Sequence, residues 1–412
     1  MKKIAKILSI VLAVALVLGL AACGGKTENN GENNSENPVA AGADYSDIKF
    51  GLICLHDENS TYDNNFISAV KEVQQNLGLS DDQVLIKTNI PETEACLNAA
   101  EELVDEGCNF IFADSFGHES YILQAAQENP DVQFAHATGT HAHDAGVPNF
   151  HNAFASIYEG RYLTGVAAGL KLQEMIDSGK ITADQAKVGY VGAFDYAEVK
   201  SGYTSFFLGV RSIVESATME VVYTNSWFDI ALEREAALKL INDGCVIISQ
   251  HADSEGAPKA CEEKGVPNVA YNINTESVAP NTALVSSRIN WAPFFTLCID
   301  SVLKGESIDA DWVGTIATGS VELLGVNEKV AAEGTQAKLD EVKAQFEAGT
   351  LKVFDTSTFT VDGKTLDSYL ADIDDDGTFS HETEVVSDGY FHESVYRSAP
   401  CFDIVIDGIT EA

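Results

Sequence analysis

Basic residues are scarce in this chain. Lys and Arg together number 25 against 63 Asp and Glu in 412 residues, for a formal net charge of −38. Nucleic-acid binding needs basic stripes that neutralise phosphate, and charge-driven docking on anionic lipid needs a polybasic patch. Neither function fits this composition. Paired cysteines are also missing. Beyond Cys23 the chain has Cys54, Cys96, Cys108, Cys245, Cys261, Cys298 and Cys401, an odd set with no C-x-x-C spacing, which excludes the common zinc and dithiol motifs. Their apolar contexts predict buried free thiols that pack as small hydrophobes. There is no G-x-S-x-G, Walker loop, G-x-G-x-x-G or H-E-x-x-H, so the usual signatures of hydrolytic, nucleotide and metalloprotease chemistry are absent. Disorder throughout is excluded as well, because hydrophobic residues make up 45% and the length suffices for two or three domains.

The N-terminus has the three parts of a bacterial export signal. Lys2, Lys3 and Lys6 precede an apolar run from Ile7 to Gly19, which is too short to span a bilayer comfortably. Leu20, Ala21, Ala22 and Cys23 follow and resemble a lipobox, so residues 1–22 are expected to be cleaved and Cys23 to carry lipid. The stretch to residue 45 is Asn- and Glu-rich with few large apolar groups, and is expected to be a flexible tether. The protein is therefore expected at the cell membrane, lipid-anchored on its extracytoplasmic face.

From Ile48 onward, short β-rich runs alternate with amphipathic segments. Strands are predicted at 49–55, 84–88, 110–113 and 133–137, with helices at 62–77, 92–106 and 121–127. This alternation predicts βαβ units and a parallel sheet covered on both faces. The pattern then repeats. Lys187 to Gly189 (KVG) follows Lys49 to Gly51 (KFG) at an offset of 138, and Ala236 to Cys245 follows Ala99 to Cys108 at 137. Each copy ends its helix at a glycine, where a left-handed cap costs least, and then enters an apolar strand. Two similar lobes are expected, with loops at the carboxyl ends of their strands facing across a cleft. Residues 355–412 carry 14 acidic side chains against Lys364 and Arg397. They read as an ordered acidic extension with β-like runs at 359–361 and 402–406.

Aromatics gather in the loops that would line this cleft: Phe66, Phe116, Phe194, Trp227, Phe228 and Trp291. A flat heteroaromatic ring gains roughly 1–3 kcal/mol for each such face it stacks on. Asp63, Asp114, Ser115, Glu198, Asp229, His251 and Asp253 lie in or beside the same loops and offer hydrogen bonds to a purine edge. Asp114 and Asp253 would equally suit helix N-caps. Two patterns suggest metals and do not complete a site. His136, His141, His143 and His151 cluster around an apparent mobile loop, and Asp372 to Gly377 opens like a calcium loop but places Thr383 where the glutamate belongs. Neither a metal nor another cofactor is expected.

Seven motifs carry a resemblance: Asp63 to Phe66 (DNNF), Phe112 to Gly117 (FADSFG), Phe134 to Gly139 (FAHATG), Tyr158 to Tyr162 (YEGRY), Asn225 to Asp229 (NSWFD), Gln250 to Ser254 (QHADS) and Asn290 to Phe294 (NWAPF). From about Ile48 to Val353 the chain resembles the basic membrane protein family of ABC-transporter substrate-binding lipoproteins, whose characterised members bind purines or purine nucleosides. The resemblance implies a type I periplasmic-binding-protein fold, α/β, with two Rossmann-like lobes and a hinged cleft. Lobe I is expected at 46–156 plus 276–305 and lobe II at 157–275 plus 306–354. It implies no enzymatic activity, a small purine-like ligand, an ABC permease as partner and a monomer. By the same resemblance Phe66 would clamp the ring, Phe116, Phe194 and Trp227 would add walls, and Ser115, Glu198, His251 and Asp253 would supply polar contacts. Asp63, Asn272 and Trp291 complete the expected ligand set. The family's nucleoside binders hold ribose with an aspartate and a lysine, where this chain has Asn272 to Asn274 (NIN) and Ser287 to Trp291 (SRINW). A free base is therefore expected over a nucleoside. A sugar-binding protein and a nucleoside hydrolase, with Glu198 or Asp253 as acid or base, remain the alternatives.

Overall fold

A computed structural model describes residues 44–373 and 382–412. The expected signal segment, Cys23, nearly all of the tether and most of the acidic turn after Asp372 fall outside those residues. The first sheet contains β1 (Phe50–Ile53), β2 (Val84–Lys87), β3 (Phe110–Ala113), β4 (Gln133–Ala137) and β5 (Phe150–Ala155). Helices α1 (Thr61–Leu77), α2 (Glu94–Asp105) and α3 (Glu119–Glu128) connect the first four strands. Then α4 (Ile157–Asp177) leads to the second sheet, with β6 (Lys187–Gly192), α5 (Ala197–Arg211), β7 (Thr218–Tyr223), α6 (Ile230–Asn242), β8 (Ile247–Gln250), α7 (Gly256–Lys264), β9 (Asn268–Tyr271) and β10 (Ala283–Ile289). After these come α8 (Ala292–Lys304), β11 (Asp311–Gly314), β12 (Val321–Leu324) and α9 (Thr335–Glu347).

Strand order is β2-β1-β3-β4-β5-β11 in one sheet, and six of the seven strands of the other run β7-β6-β8-β9-β10-β12. The two orders correspond strand for strand, which is the internal repeat in three dimensions. Only β12 departs, running antiparallel to β10, whereas β11 runs parallel to β5. Central strands such as β1, β3 and β8 are buried at every position, as parallel sheets require when helices cover both faces. Local signals set the helix ends. Ser60 Oγ accepts the Asp63 N–H to cap α1, and Gly107 and Gly244 take φ of 91° and 92° after α2 and α6, so the shared glycines close the same turn in both lobes. The seven described cysteines are all buried and free.

The expected lobe boundaries need correction. Residues 276–289 were assigned to lobe I, but β10 pairs in parallel with β9, Ser286 beside Ala270, so it belongs to lobe II. Residues 306–314 were assigned to lobe II, but β11 pairs with β5, Trp312 beside Ala153, and returns to lobe I. The chain thus crosses between lobes after β5, after β10 and after β11. A β-rich run carries no mark of which parallel sheet it joins, and only its hydrogen-bond partners decide.

The acidic extension is likewise integrated rather than appended. Neither 359–361 nor 402–406 forms a strand. The pairing falls instead to β13 (Leu370–Ala371) with β14 (Thr383–Glu384), β15 (Val386–Ser387) with β16 (Tyr390–Phe391), and β17 (Ile409–Glu411), which runs parallel to β7 at the edge of the second sheet. Phe402 is fully buried and stacks on Phe354 with ring centroids 4.5 Å apart, while the Ser398 N–H donates to Asp311 Oδ1 of lobe I at 2.7 Å. No helix among the described residues is long and apolar enough to cross a membrane.

Candidate functional site

At the carboxyl ends of both sets of strands, the lobes meet over a pocket. Leu55, His56, Tyr62, Asp63, Ser115, Phe116 and Thr138 line it from lobe I, and Glu198, Trp227, His251, Asp253 and Tyr271 from lobe II. The lobes touch at the rim. The Thr61 N–H at the start of α1 donates to the Asp253 carbonyl at 2.9 Å, and the His56 and Phe228 rings lie 5.6 Å apart. Asn65 Nδ2 donates across the lobes to the Ile289 carbonyl at 2.8 Å.

Lobe I contributes a pair of unlike carboxyls. Asp63 Oδ1 accepts the His56 N–H at 2.7 Å, and Oδ2 accepts the Ser60 hydroxyl at 2.5 Å. Burial pushes this carboxyl up, but the bonds from the His56 ring, Ser60 and the His56 N–H outweigh it and hold it below its ordinary value. Asp114 sits beneath, fully buried, with Oδ1 accepting the Leu55 N–H at 3.1 Å and Oδ2 unpartnered. Burial and then the Asp63 charge push it well above the carboxylate range. The two carboxyls are thus pushed in opposite directions. Cys54 adds a third donor, all three within 4.8 Å of one another. Burial also pushes the Cys54 thiol up, so a metal bound here would have to displace its proton.

Lobe II is built on a buried cation. Arg161, with no exposed surface, donates from Nη1 to the Gln250 carbonyl at 2.8 Å and covers the Tyr271 ring with its guanidinium carbon 3.6 Å from the centroid. Its Nη2 lies 3.3 Å from His251 Nδ1. Arg can only donate, so Nδ1 accepts, and His251 Nε2–H donates to Glu198 Oε1 at 3.1 Å. Burial holds His251 below its ordinary value, keeping it in this neutral tautomer. Asp253 is pushed well up, first by burial and then by the charges of Glu233, Asp63 and Glu198.

Of the expected ligand residues, Asp63, Ser115, Phe116, Glu198, Trp227, His251 and Asp253 line the pocket, and four do not. Phe66 and Trp291 are core residues of lobe I, 0% and 1% exposed and stacked on each other at 4.5 Å. The helical turn that presents Asp63 to the pocket carries Phe66 round to the sheet, and Tyr62 takes the wall position instead. Phe194 stands behind Trp227, centroids 5.0 Å apart. Asn272 is buried beside Tyr271 at a φ of 67°, its N–H donating to the Ser287 carbonyl, outside the pocket lining. Neither Asp114 nor Asp253 is an N-cap. The caps fall at Ser115 and Glu255, and Asp229 caps α6. The histidines separate into distinct roles, His136 bonding the Ser115 carbonyl, His143 pairing with Asp311 and His151 bonding Gln133. Tyr62, Tyr271 and Arg161 were missed. Arg161 lies inside the YEGRY motif, but nothing local in the sequence shows that it is buried.

The pocket thus brings aromatic side chains from both lobes beside several carboxyl groups. A family profile described as "Bmp: ABC transporter substrate-binding protein PnrA-like" matches residues 52–351. The chain is similar to a purine-binding protein of Brucella abortus, 29% identical over 79% of this chain and 89% of the relative. It is also similar to a putative ABC transporter glucose-binding protein of Haloferax volcanii, 32% identical over 59% of this chain and 60% of the relative. Among solved structures, a solute-binding protein of an ABC transporter system from Conexibacter woesei superposes with a TM-score of 0.61 at 18% identity, covering 74% of this chain and 98% of that one. That likeness fits the two-lobed α/β architecture found here. The profile spans both sheets and every wall of the pocket, so this chain belongs to the Bmp family of ABC transporter substrate-binding proteins, whose members bind solutes rather than transform them.

Proposed function

We propose that the pocket captures a purine base, or a closely related nitrogen heterocycle with exocyclic N–H groups, outside the cell and delivers it to an ABC permease. In this reading lipid on Cys23 keeps the capture step at the membrane surface. The observation that carries the reading is the gathering of aromatic side chains from opposite lobes, Tyr62 and Phe116 from one and Trp227 and Tyr271 from the other, around the carboxyls of Asp63, Glu198 and Asp253. Two stacks and a few hydrogen bonds supply the roughly 8 kcal/mol of micromolar binding. The ligand touches both lobes, so it favours the closed state, which alone forms all its contacts.

Ribose recognition has less support. Arg288, in the stretch where the family's lysine would stand, is turned to Glu322 at 2.8 Å. A sugar is the second reading, favoured by the Haloferax relative's name and by carboxylates that would accept hydroxyls equally well. Calorimetry with adenine, guanine, adenosine, ribose and glucose separates them. The expected order is base over nucleoside with no binding of free sugar. Glucose or ribose binding without base binding would replace the purine reading, and release of free base from adenosine would replace the transport role.

A further inference from the structure

A second cavity of about 230 Å³, sharing no lining residue with the first, opens on the hinge side. Its walls are the start of α4, β11, the segment after α9, and residues 390–395 of the extension. Its wall at residues 390–395 lies beyond the family match at residues 52–351, whereas Ser156, Tyr158, Glu159 and Val313 lie within it. Its chemistry is mixed. Glu159 and Glu393 are both buried. Glu159 accepts the Ile316 N–H at 2.7 Å, and Glu393 accepts the Ser201 hydroxyl at 2.5 Å. Lys352 forms no ion pair with the described residues and holds its Nζ 4.9 Å from the Tyr390 ring centroid. Phe346 and Phe354 supply apolar wall. Buried acceptors, an exposed ammonium and aromatic surface lining one cavity match a zwitterion with an apolar body.

We propose that this cavity is a second binding site, for a free amino acid with an apolar or aromatic side chain. Its ammonium meets Glu159 and Glu393, its carboxylate meets Lys352, and its side chain packs on Phe346 and Phe354. Burial raises both glutamates to about 7, so an arriving ammonium draws them into the ionised form and binding at neutral pH releases protons.

L-Phenylalanine titrated calorimetrically into the full chain tests this. Saturable binding at one site is expected, with a heat that depends on the ionisation enthalpy of the buffer. Phenethylamine and 3-phenylpropanoate, each lacking one charged end, should bind on the order of tenfold more weakly or worse. Lys352→Met, at an exposed position that the fold does not need, and Glu159→Gln, which keeps an acceptor for the Ile316 N–H, should each weaken phenylalanine by on the order of tenfold. Trp227→Ala in the cleft should leave it unchanged. No binding of phenylalanine, or binding that Trp227→Ala abolishes while Lys352→Met leaves it intact, overturns the proposal and leaves the purine reading of the cleft untouched.

Discussion

Arg161 and Tyr271 lie face to face, the guanidinium carbon 3.6 Å from the ring centroid, with the whole cation sealed from solvent. One member lies on the helix that enters lobe II and the other at the end of β9, so the stack joins a crossover to the pocket wall. Nothing reaches the ligand from Arg161 directly. It orients Tyr271, fixes the tautomer of His251 and balances the charge of Glu198.

Arg161→Met should therefore act on both stability and binding. Breaking a buried charged contact of this kind costs about 3–5 kcal/mol, read as a lower urea midpoint. Without the donor at Nδ1, His251 is free to take the other tautomer and turn an acceptor toward Glu198. Ligand affinity should fall at least as far as in a His251→Asn variant, measured by calorimetry on the folded fraction.

Trp227 and Phe66 should behave as opposites. Trp227→Ala removes a pocket wall, so roughly 1–3 kcal/mol of stacking should vanish from ligand binding with little change in Tm of the free protein. Phe66→Ala hollows the core beneath Trp291 and should cost about 3–5 kcal/mol of stability. The ligand-induced rise in Tm should survive in that variant. Loss of the shift in Phe66→Ala but not in Trp227→Ala would restore Phe66 as the clamp.

Glu233 gives a pH test. It is fully buried, accepts the Ser254 N–H at 3.0 Å, and burial raises it to about 7. The folded state therefore binds more protons than the unfolded state between about pH 4.5 and 7, and stability from this group declines as pH rises through that window. Both Glu233 oxygens accept, from the Asp229 and Ser254 N–H groups, so Glu233→Gln keeps only one of these acceptors and cannot ionise. Its deficit in Tm against the parent should be largest near pH 5 and shrink by pH 8. A constant deficit would mean that Glu233 titrates normally.

Removal of residues 355–412 should unfold or aggregate the protein rather than trim it. The cut exposes Phe354, strips the β7 edge of its β17 partner and loses the fully buried Phe402 and the nearly buried Phe391 and Ile406. Each such side chain contributes about 1.5–3 kcal/mol. A soluble truncated chain with an unchanged Tm would return the extension to the status of a separate appendage.

The two-lobed design was readable because it rests on local chemistry. Parallel strands buried on both faces must be short apolar runs, and helices that close on a left-handed turn need a glycine, so Gly107 and Gly244 declare the repeat. Most of the pocket was legible because loops after strand ends are few and their acidic and aromatic residues stand out. The aromatics were only half legible. Phe66 and Trp227 look alike in sequence, but the 100° step between helix positions turns Phe66 to the sheet, whereas Trp227, on a loop, is free to face the cleft.

The sequence alone determined the class of the protein, the pairing of similar halves and the acidic, aromatic character of what lies between them, because each depends on residue type and spacing within a single element. Tertiary structure decided which sheet β10 and β11 join, that the last residues complete the second sheet, that Arg161 is buried and that a second cavity opens at the hinge. Those outcomes depend on contacts between residues far apart in the chain, and no local pattern records them.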